Sequence, residues 1–352
     1  MKTLLTARFT DQSLQRLINR AGAVQQAGFG VTGEKLPESE ILARVADIDC
    51  LVVEFEEITD KVLKQAKTLK IAACCRNEPA ASFDIEAATR LGIPVIFPPG
   101  RNAVSVAEYT IGLMIAASRH IADAHYRLRH TDEFTAIGYS DKTDVRSSVT
   151  SEWSMDPGAP FHRFQGPELY GKTLGLVGCG AIGTEIAKRA SAFAMRVLVA
   201  DPFVSDGMLR AIPAERRDLI DVAGEADFFA MAAKVTSDTE GIVGSEVISQ
   251  MKPSAYFINT ARAALVDYEA LFRALDRRRI AGAALDVYPV EPIPSDSPFR
   301  TLDNVVLSPH LAGASRDIPV HHSRMIIDDI FLYLDGKRPT RLANPTVWEV
   351  RR

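Results

Sequence analysis

The 352-residue chain is poor in cysteine, carries no surplus of positive charge and lacks long apolar runs. Each shortage closes off a class of protein. Its four cysteines, Cys50, Cys74, Cys75 and Cys179, show no metal-ligand spacing, so no metal site is expected. Adjacent cysteines such as Cys74 and Cys75 rarely reach disulfide geometry, which points to buried free thiols in a reducing cytoplasm. Lysine and arginine number 41 against 45 aspartates and glutamates, a formal net charge of -4. Nothing there supplies the broad basic face that a nucleic acid requires. No run approaches the roughly 18 apolar residues of a membrane span, so no membrane partner is expected. The opening MKTLLTARFTDQSL is broken at once by Arg8 and Asp11, unlike a signal peptide. No repeat of solenoid length is visible.

What is present is ordinary soluble-protein material: 47% hydrophobic and 24% charged residues, enough for two domains with a core each. In the first hundred residues, short apolar runs read as strands at 3–9, 50–55, 70–75 and 94–98. Helical patterns lie between them, around Asp11–Arg20, Glu38–Arg44, Thr59–Lys67 and Asp84–Arg90. Runs this continuous suit strands covered on both faces, and so a small parallel α/β sheet. A long helical pattern then runs from Ala103 to about Arg129, with Asn102 as its expected N-cap. Residues of about 131–168 are polar, turn-rich and without a period, which suggests an arm, a lid or an oligomer contact.

The alternation returns after Gly171, with strands expected at 174–178, 196–201, 227–233, 256–261, 281–287 and 304–310. Six strands with helical patterns between most of them match a doubly wound dinucleotide-binding sheet. Val320 to Leu334 reads as an amphipathic helix, and the short tail after it leaves no expectation of a regulatory domain.

Two features in this second half carry chemistry. Gly178-Cys179-Gly180-Ala181-Ile182-Gly183 is a G-x-G-x-x-G that follows an apolar strand and opens a helical pattern. Its glycines serve a tight turn, close backbone approach to a diphosphate, and helix–strand packing, while the helix N-terminus faces the phosphates. Asp201 ends the next expected strand, 18 residues past Gly183. A carboxylate there accepts from the ribose hydroxyls and repels a 2′-phosphate, so NAD is expected rather than NADP.

The second feature is a set of ionisable residues at the ends of later strands, where open α/β sheets bind ligands. Arg262, Glu291 and His310 each follow one. Oxidising a C–OH carbon needs a base for the hydroxyl proton, which a histidine supplies near neutral pH. A glutamate bonded to the imidazole fixes its tautomer and stabilises the imidazolium. An arginine presents a planar fork for a carboxylate and a keto oxygen.

With these residues in place, the chain resembles the D-isomer-specific 2-hydroxyacid dehydrogenases, the phosphoglycerate, glycerate and D-lactate dehydrogenase group. Four segments match in order: PGRNAVSVAEYTIGLMIAASR, GKTLGLVGCGAIG, INTARAALVDYEALFRAL with AALDVYPVEP, and LSPHLAGAS. The resemblance implies two Rossmann-like domains. A smaller flavodoxin-like substrate domain, 1–102 plus 311–352, would accompany an NAD-binding domain at 103–310 that carries the long loop. It implies Arg262, Glu291 and His310 as the catalytic trio. It also implies cofactor contacts from Ala181, Ile182, Asp201, Thr260, Ala261, Asp286 and Gly313, beside Gly178, Gly180 and Gly183. Homodimers formed through the NAD domains are usual in the group.

Several departures from the group's pattern stand out. Its glycine-rich substrate loop is replaced here by CCRNEPAASFD, with Arg76, Asn77, Glu78 and Pro79 in its place. Arg76 and Asn77 are the expected side-chain substitutes for the missing N–H cradle. Ala263 stands after the catalytic arginine where glycine is common, and the usual histidine of the fourth strand's exit loop gives way near Ala232, with Lys234 two places on. The implied activity is hydride transfer between NAD(H) and a small polar 2-hydroxy or 2-keto acid. Two alternatives keep the cofactor: an NAD-sensing, corepressor-like binding protein, and a dehydrogenase of the same family that uses another small donor such as phosphite.

Overall fold

The structure, a computed structural model, describes residues 1–134 and 157–349. The chain forms two compact units, one of Met1–Asn102 with Ser315–Arg352 and one of Ala103–Ala314. The family resemblance places the return to the first unit at 311; the contacts place it at Ser315.

The first unit is a five-stranded parallel sheet of β1 (Thr3–Leu5), β2 (Val24–Gln26), β3 (Cys50–Val53), β4 (Ile71–Cys74) and β5 (Val95–Ile96). Its order is β2-β1-β3-β4-β5, the flavodoxin-like arrangement with a switch point between β1 and β3. Alternation explains why its strands read as unbroken apolar runs. Leu4, Leu51, Val53, Ala72 and Val95 face one core, while Leu5, Cys50, Val52, Ile71, Ala73 and Ile96 face the other. Helices Glu38–Arg44 and Asp60–Gln65 cover the first face through Ile41, Val62 and Leu63. Helices Asp11–Ala21 and Ile318–Leu334 cover the second through Leu17, Ile326, Ile327 and Ile330.

The second unit is a seven-stranded parallel sheet: β6 (Thr173–Val177), β7 (Arg196–Ala200), β8 (Ala214–Arg216), β9 (Phe228–Met231), β10 (Tyr256–Asn259), β11 (Gly282–Leu285) and β12 (Val305–Leu307). The order β12-β11-β10-β9-β6-β7-β8 puts the switch point between β6 and β9. It is again double-faced. Phe228 stacks on Tyr256 at 5.6 Å in one core, and Phe229 on Phe257 at 5.9 Å in the other.

Three expectations are corrected. Except for β6, the expected strands are shorter than their apolar runs, which continue into the loops that follow or precede them. Two edge strands, β2 and β8, were not expected; their sequences VQQ and AER are polar and mostly exposed, so backbone pairing holds them without an apolar signal. The long helix after Asn102 is two helices, Ala103–Ser118 and Ile121–His130, parted where His120 adopts a left-handed φ of 52°. Of the expected loop, residues 135–156 lie outside the described residues, and Pro160–Arg163 forms one short helical turn. All four cysteines are buried free thiols. Among the described residues no helix is long and apolar enough to cross a membrane, and no group of three or more His, Cys, Asp and Glu side chains is placed to hold a metal.

The chain's end is tied to β5. Ala343 N–H donates to Val95 O at 2.8 Å, and Asn344 accepts from Val95 N–H at 2.8 Å and donates to Ile93 O at 2.9 Å. Asn344→Ala strands two buried backbone groups and should destabilise the first unit by about 2 kcal/mol. A urea midpoint equal to that of the parent would contradict this anchoring role.

Candidate active site

The glycine turn after β6 has a separate steric reason for each glycine. Gly178 sits at φ 90°, and a Cβ there would lie 2.6 Å from the backbone of Ala233 on the β9 exit. A Cβ on Gly183 would meet Gly178 O at 2.3 Å, so strand and helix touch backbone to backbone. Gly180 is exposed, and nothing lies within 4 Å of where its Cβ would stand. It is also the N-cap of helix Ala181–Ala192, with no side-chain acceptor for the first-turn N–H groups. An open approach to an uncapped helix N-terminus fits a dinucleotide diphosphate. Ala181 is exposed and Ile182 half-buried at this opening.

Asp201 does more than end a strand. Its Oδ2 accepts from Cys179 N–H at 2.7 Å, and its Oδ1 from Phe203 and Val204 N–H at 2.8 and 3.2 Å. The carboxylate thus holds the glycine turn in shape, and one lone-pair site on Oδ2 remains for a ribose hydroxyl.

Arg262, Glu291 and His310 come from three strand exits of the same unit. His310 Nδ1 lies 2.7 Å from Glu291 Oε2, and Glu291 Oε1 accepts from Tyr288 N–H at 3.0 Å. Partial burial works to raise the Glu291 pKa. The His310 hydrogen bond, the Tyr288 N–H and the charges of His310 and Arg262 outweigh it and hold the carboxyl below its ordinary range. Glu291 is therefore an acceptor, which puts the proton of a neutral imidazole on Nδ1 and leaves Nε2 free. The pair is open to solvent, with side-chain exposures of 44% for His310 and 35% for Glu291. Arg262 is exposed and donates to Ala261 O at 2.7 Å.

His310 adopts φ 55°, a left-handed conformation that costs a non-glycine residue of order 1 kcal/mol or more. Asp286 holds the loop there. Fully buried at the β11 exit, it accepts from Ser308 Oγ at 2.6 Å, Leu311 N–H at 2.8 Å and Ala312 N–H at 2.8 Å. Asp286, which the resemblance implied as a cofactor contact, is enclosed here and grips the chain on both sides of His310. Gly313 follows in a tight turn closed by Ala314 N–H to Leu311 O at 2.8 Å.

The β10 exit is organised by a residue that sequence reasoning missed. Asn259, fully buried, accepts from Ala261 N–H at 3.0 Å and donates to Arg262 O at 3.2 Å and to the Tyr268 hydroxyl at 3.3 Å. Thr260, expected at the cofactor, is 6% exposed and bonded at 2.8 Å to the Thr110 hydroxyl, which donates to Val106 O. Ala263 opens a 3-10 turn, Ala263–Leu265. Ala232 N–H donates to Val177 O at 2.8 Å, and exposed Lys234 offers its carbonyl to Thr239 Oγ1 at 2.6 Å.

Arg76 and Asn77 belong to the first unit, past β4. The Arg76 guanidinium lies 5.4 Å over the Phe55 ring, with no carboxylate within ion-pair distance among the described residues. Asn77 is exposed. Its carbonyl accepts from Gly100 and Arg101 N–H at 3.1 and 3.3 Å, and its amide donates to Asn102 Oδ1 at 2.9 Å. It braces one loop against another and has a single amide hydrogen to spare.

A glycine turn at the switch point of a doubly wound sheet fits a dinucleotide, and the imidazole–carboxylate pair at neighbouring strand exits fits acid–base chemistry. The family model for the D-isomer specific 2-hydroxyacid dehydrogenase, NAD binding domain, matches residues 111–312. The chain is 33% identical over 346 residues to the D-3-phosphoglycerate dehydrogenase of Methanocaldococcus jannaschii, covering 98% of this chain and 59% of that protein. It is 35% identical over 314 residues to the glyoxylate reductase of Thermofilum pendens, covering 89% of this chain and 86% of that one. In fold it is similar to the NAD-complexed D-isomer specific 2-hydroxyacid dehydrogenase of Lactobacillus delbrueckii ssp. bulgaricus. That match has a TM-score of 0.76 at 21% identity, over 98% of this chain and all of that one. The chain belongs to the D-isomer specific 2-hydroxyacid dehydrogenase family, and its seven-stranded unit is the family's NAD-binding domain. It spans about three-fifths of the length of the phosphoglycerate relative.

Asp286→Asn would point an amide at groups that are themselves donors and release the His310 loop. Turnover should fall by about a hundredfold, the scale of a misplacement near 1 Å. Unchanged turnover with unchanged thermal stability would contradict the grip described for Asp286.

Proposed function

We infer that the protein interconverts a small polar 2-hydroxy acid, of D configuration, and its 2-keto acid, with His310 as the acid–base group. The observation that carries this reading is the 2.7 Å bond between His310 Nδ1 and Glu291 Oε2. With Nδ1–H committed to the carboxylate, Nε2 takes the hydroxyl proton in oxidation and returns it in reduction. Glu291 orients the ring and stabilises the imidazolium while the proton is held. Arg262 offers two parallel donors to the acid's carboxylate and polarises the keto oxygen. NAD, when bound, takes or returns the hydride.

Gly180, the N-terminus of Ala181–Ala192 and the free site on Asp201 would hold the dinucleotide, with Thr260, Ala261 and Gly313 near its other end. Arg76 of the five-stranded unit is proposed as a further donor to an acid, supported by its lack of an ion-pair partner among the described residues. Assembly as a homodimer through the NAD domains and a cytoplasmic location belong to the same proposal.

The direct test is NADH oxidation against 2-keto acids, from glyoxylate to four- and five-carbon sugar-derived acids. Turnover of a polar keto acid supports the reading; tight NADH binding with no turnover on any of them would leave a nucleotide sensor. His310→Ala should cut turnover at least about a hundredfold, and near-parent rates would refute its acid–base role. Asp201→Ala should move the ratio of NADH to NADPH affinity about tenfold toward NADPH. Equal losses for the two cofactors would contradict the ribose assignment.

A further inference from the structure

One buried phenol touches the structures behind both halves of the trio and is used by nothing described so far. Tyr268 is the first residue of helix Tyr268–Asp276, 8% exposed, with its ring packed edge-on against Phe299 at 5.5 Å. Its hydroxyl accepts from Asn259 Nδ2 at 3.3 Å and donates to the Val287 carbonyl. On one side, the same Asn259 amide donates to Arg262 O and its carbonyl accepts from Ala261 N–H, so Asn259 shapes the arginine loop. On the other side, Val287 O is the peptide carbonyl bonded to Tyr288 N, and that N–H donates to Glu291 Oε1. Tyr288 continues the path: its hydroxyl lies 2.9 Å from both Leu285 O and Ser308 O, two residues before His310.

We propose that the Tyr268 hydroxyl is a positioning group that sets the Arg262 loop against the Glu291–His310 pair. Arg262 and Glu291 leave different strands, β10 and β11, and two adjacent strand exits can shift relative to each other unless something ties them beyond the ladder. The Asn259–Tyr268–Val287 bonds tie them, and all three residues are buried. Burial raises the Tyr268 pKa, so the phenol keeps its proton and remains a donor to Val287 O. A phenylalanine would fill the same space against Phe299 and break both bonds at once. The tie also suits the chemistry, since Arg262 is to hold the acid while His310 handles the proton on the same molecule. The two must then keep a set distance within a few tenths of an ångström.

This proposal rests on the trio reading, and its test separates the two. Tyr268→Phe should lower kcat/KM for the best keto acid by about twentyfold while the Kd for NADH, read by fluorescence, stays within about twofold. Phe299→Leu, which loosens the same ring without touching the hydroxyl, is the stability control: it should lower Tm comparably and leave kcat/KM within about threefold. In the double variant with Arg262→Lys, Tyr268→Phe should add no more than about a threefold further loss, because coupled groups are not additive. Additive losses, an equal fall in Phe299→Leu, or full activity in Tyr268→Phe beside an impaired Arg262→Lys would each overturn the proposal. Parent-level turnover in Arg262→Lys itself would overturn the trio and this proposal with it.

Discussion

The site depends on a carboxylate and an imidazole meeting at 2.7 Å across two loops that leave the neighbouring strands β11 and β12. A bond between half-exposed groups is weak in water, so it cannot gather the loops by itself. Geometry has to be supplied from beneath. Asp286 supplies it for His310, holding Ser308, Leu311 and Ala312 so that the histidine accepts a left-handed backbone. Tyr288 supplies it for Glu291 through its N–H, and for the histidine loop through its hydroxyl. What solvent sees is a histidine and a glutamate; what holds them is a layer of buried polar groups whose hydrogen bonds fix the backbone of the loops as well as the side chains.

The same division runs through the nucleotide end. Asp201 is at once the expected ribose acceptor and the brace of the glycine turn through Cys179 N–H. A carboxylate has lone pairs enough for both. The glycines then act as absences: at 178 and 183 a side chain would strike backbone, and at 180 the space beyond the backbone is open. A turn with no charged residue can in this way suit an anionic cofactor. The positive potential comes from the helix terminus and its unpaired N–H groups.

Much of this was legible in the sequence because strand exits are marked. An apolar run followed by Arg262, by Glu291 or by His310 announces a side chain at the carboxyl edge of a parallel sheet. The G-x-G-x-x-G announces its own turn. The supporting layer carried no such mark. Asn259 and Tyr268 lie inside a strand and at a helix start, where an amide and a phenol look like ordinary core or cap residues, and only coordinates join them. Asp286 entered only through the family resemblance, as a cofactor contact; that it grips Ser308, Leu311 and Ala312 is visible only once the fold brings those donors around it. The edge strands β2 and β8 escaped notice because backbone pairing with polar side chains leaves no periodicity. The break at His120 escaped because helical propensity runs straight across it and a single left-handed residue decides the matter.

The proton transfer turns on where one proton sits. Nitrogen-15 NMR of the His310 ring in the ligand-free protein, at a pH where the imidazole is neutral, reads it directly. A protonated Nδ1, donating to Glu291, and a bare Nε2 are expected, with that preference lost in Glu291→Ala. A neutral ring protonated on Nε2, with Nδ1 bare beside the carboxylate, would contradict it.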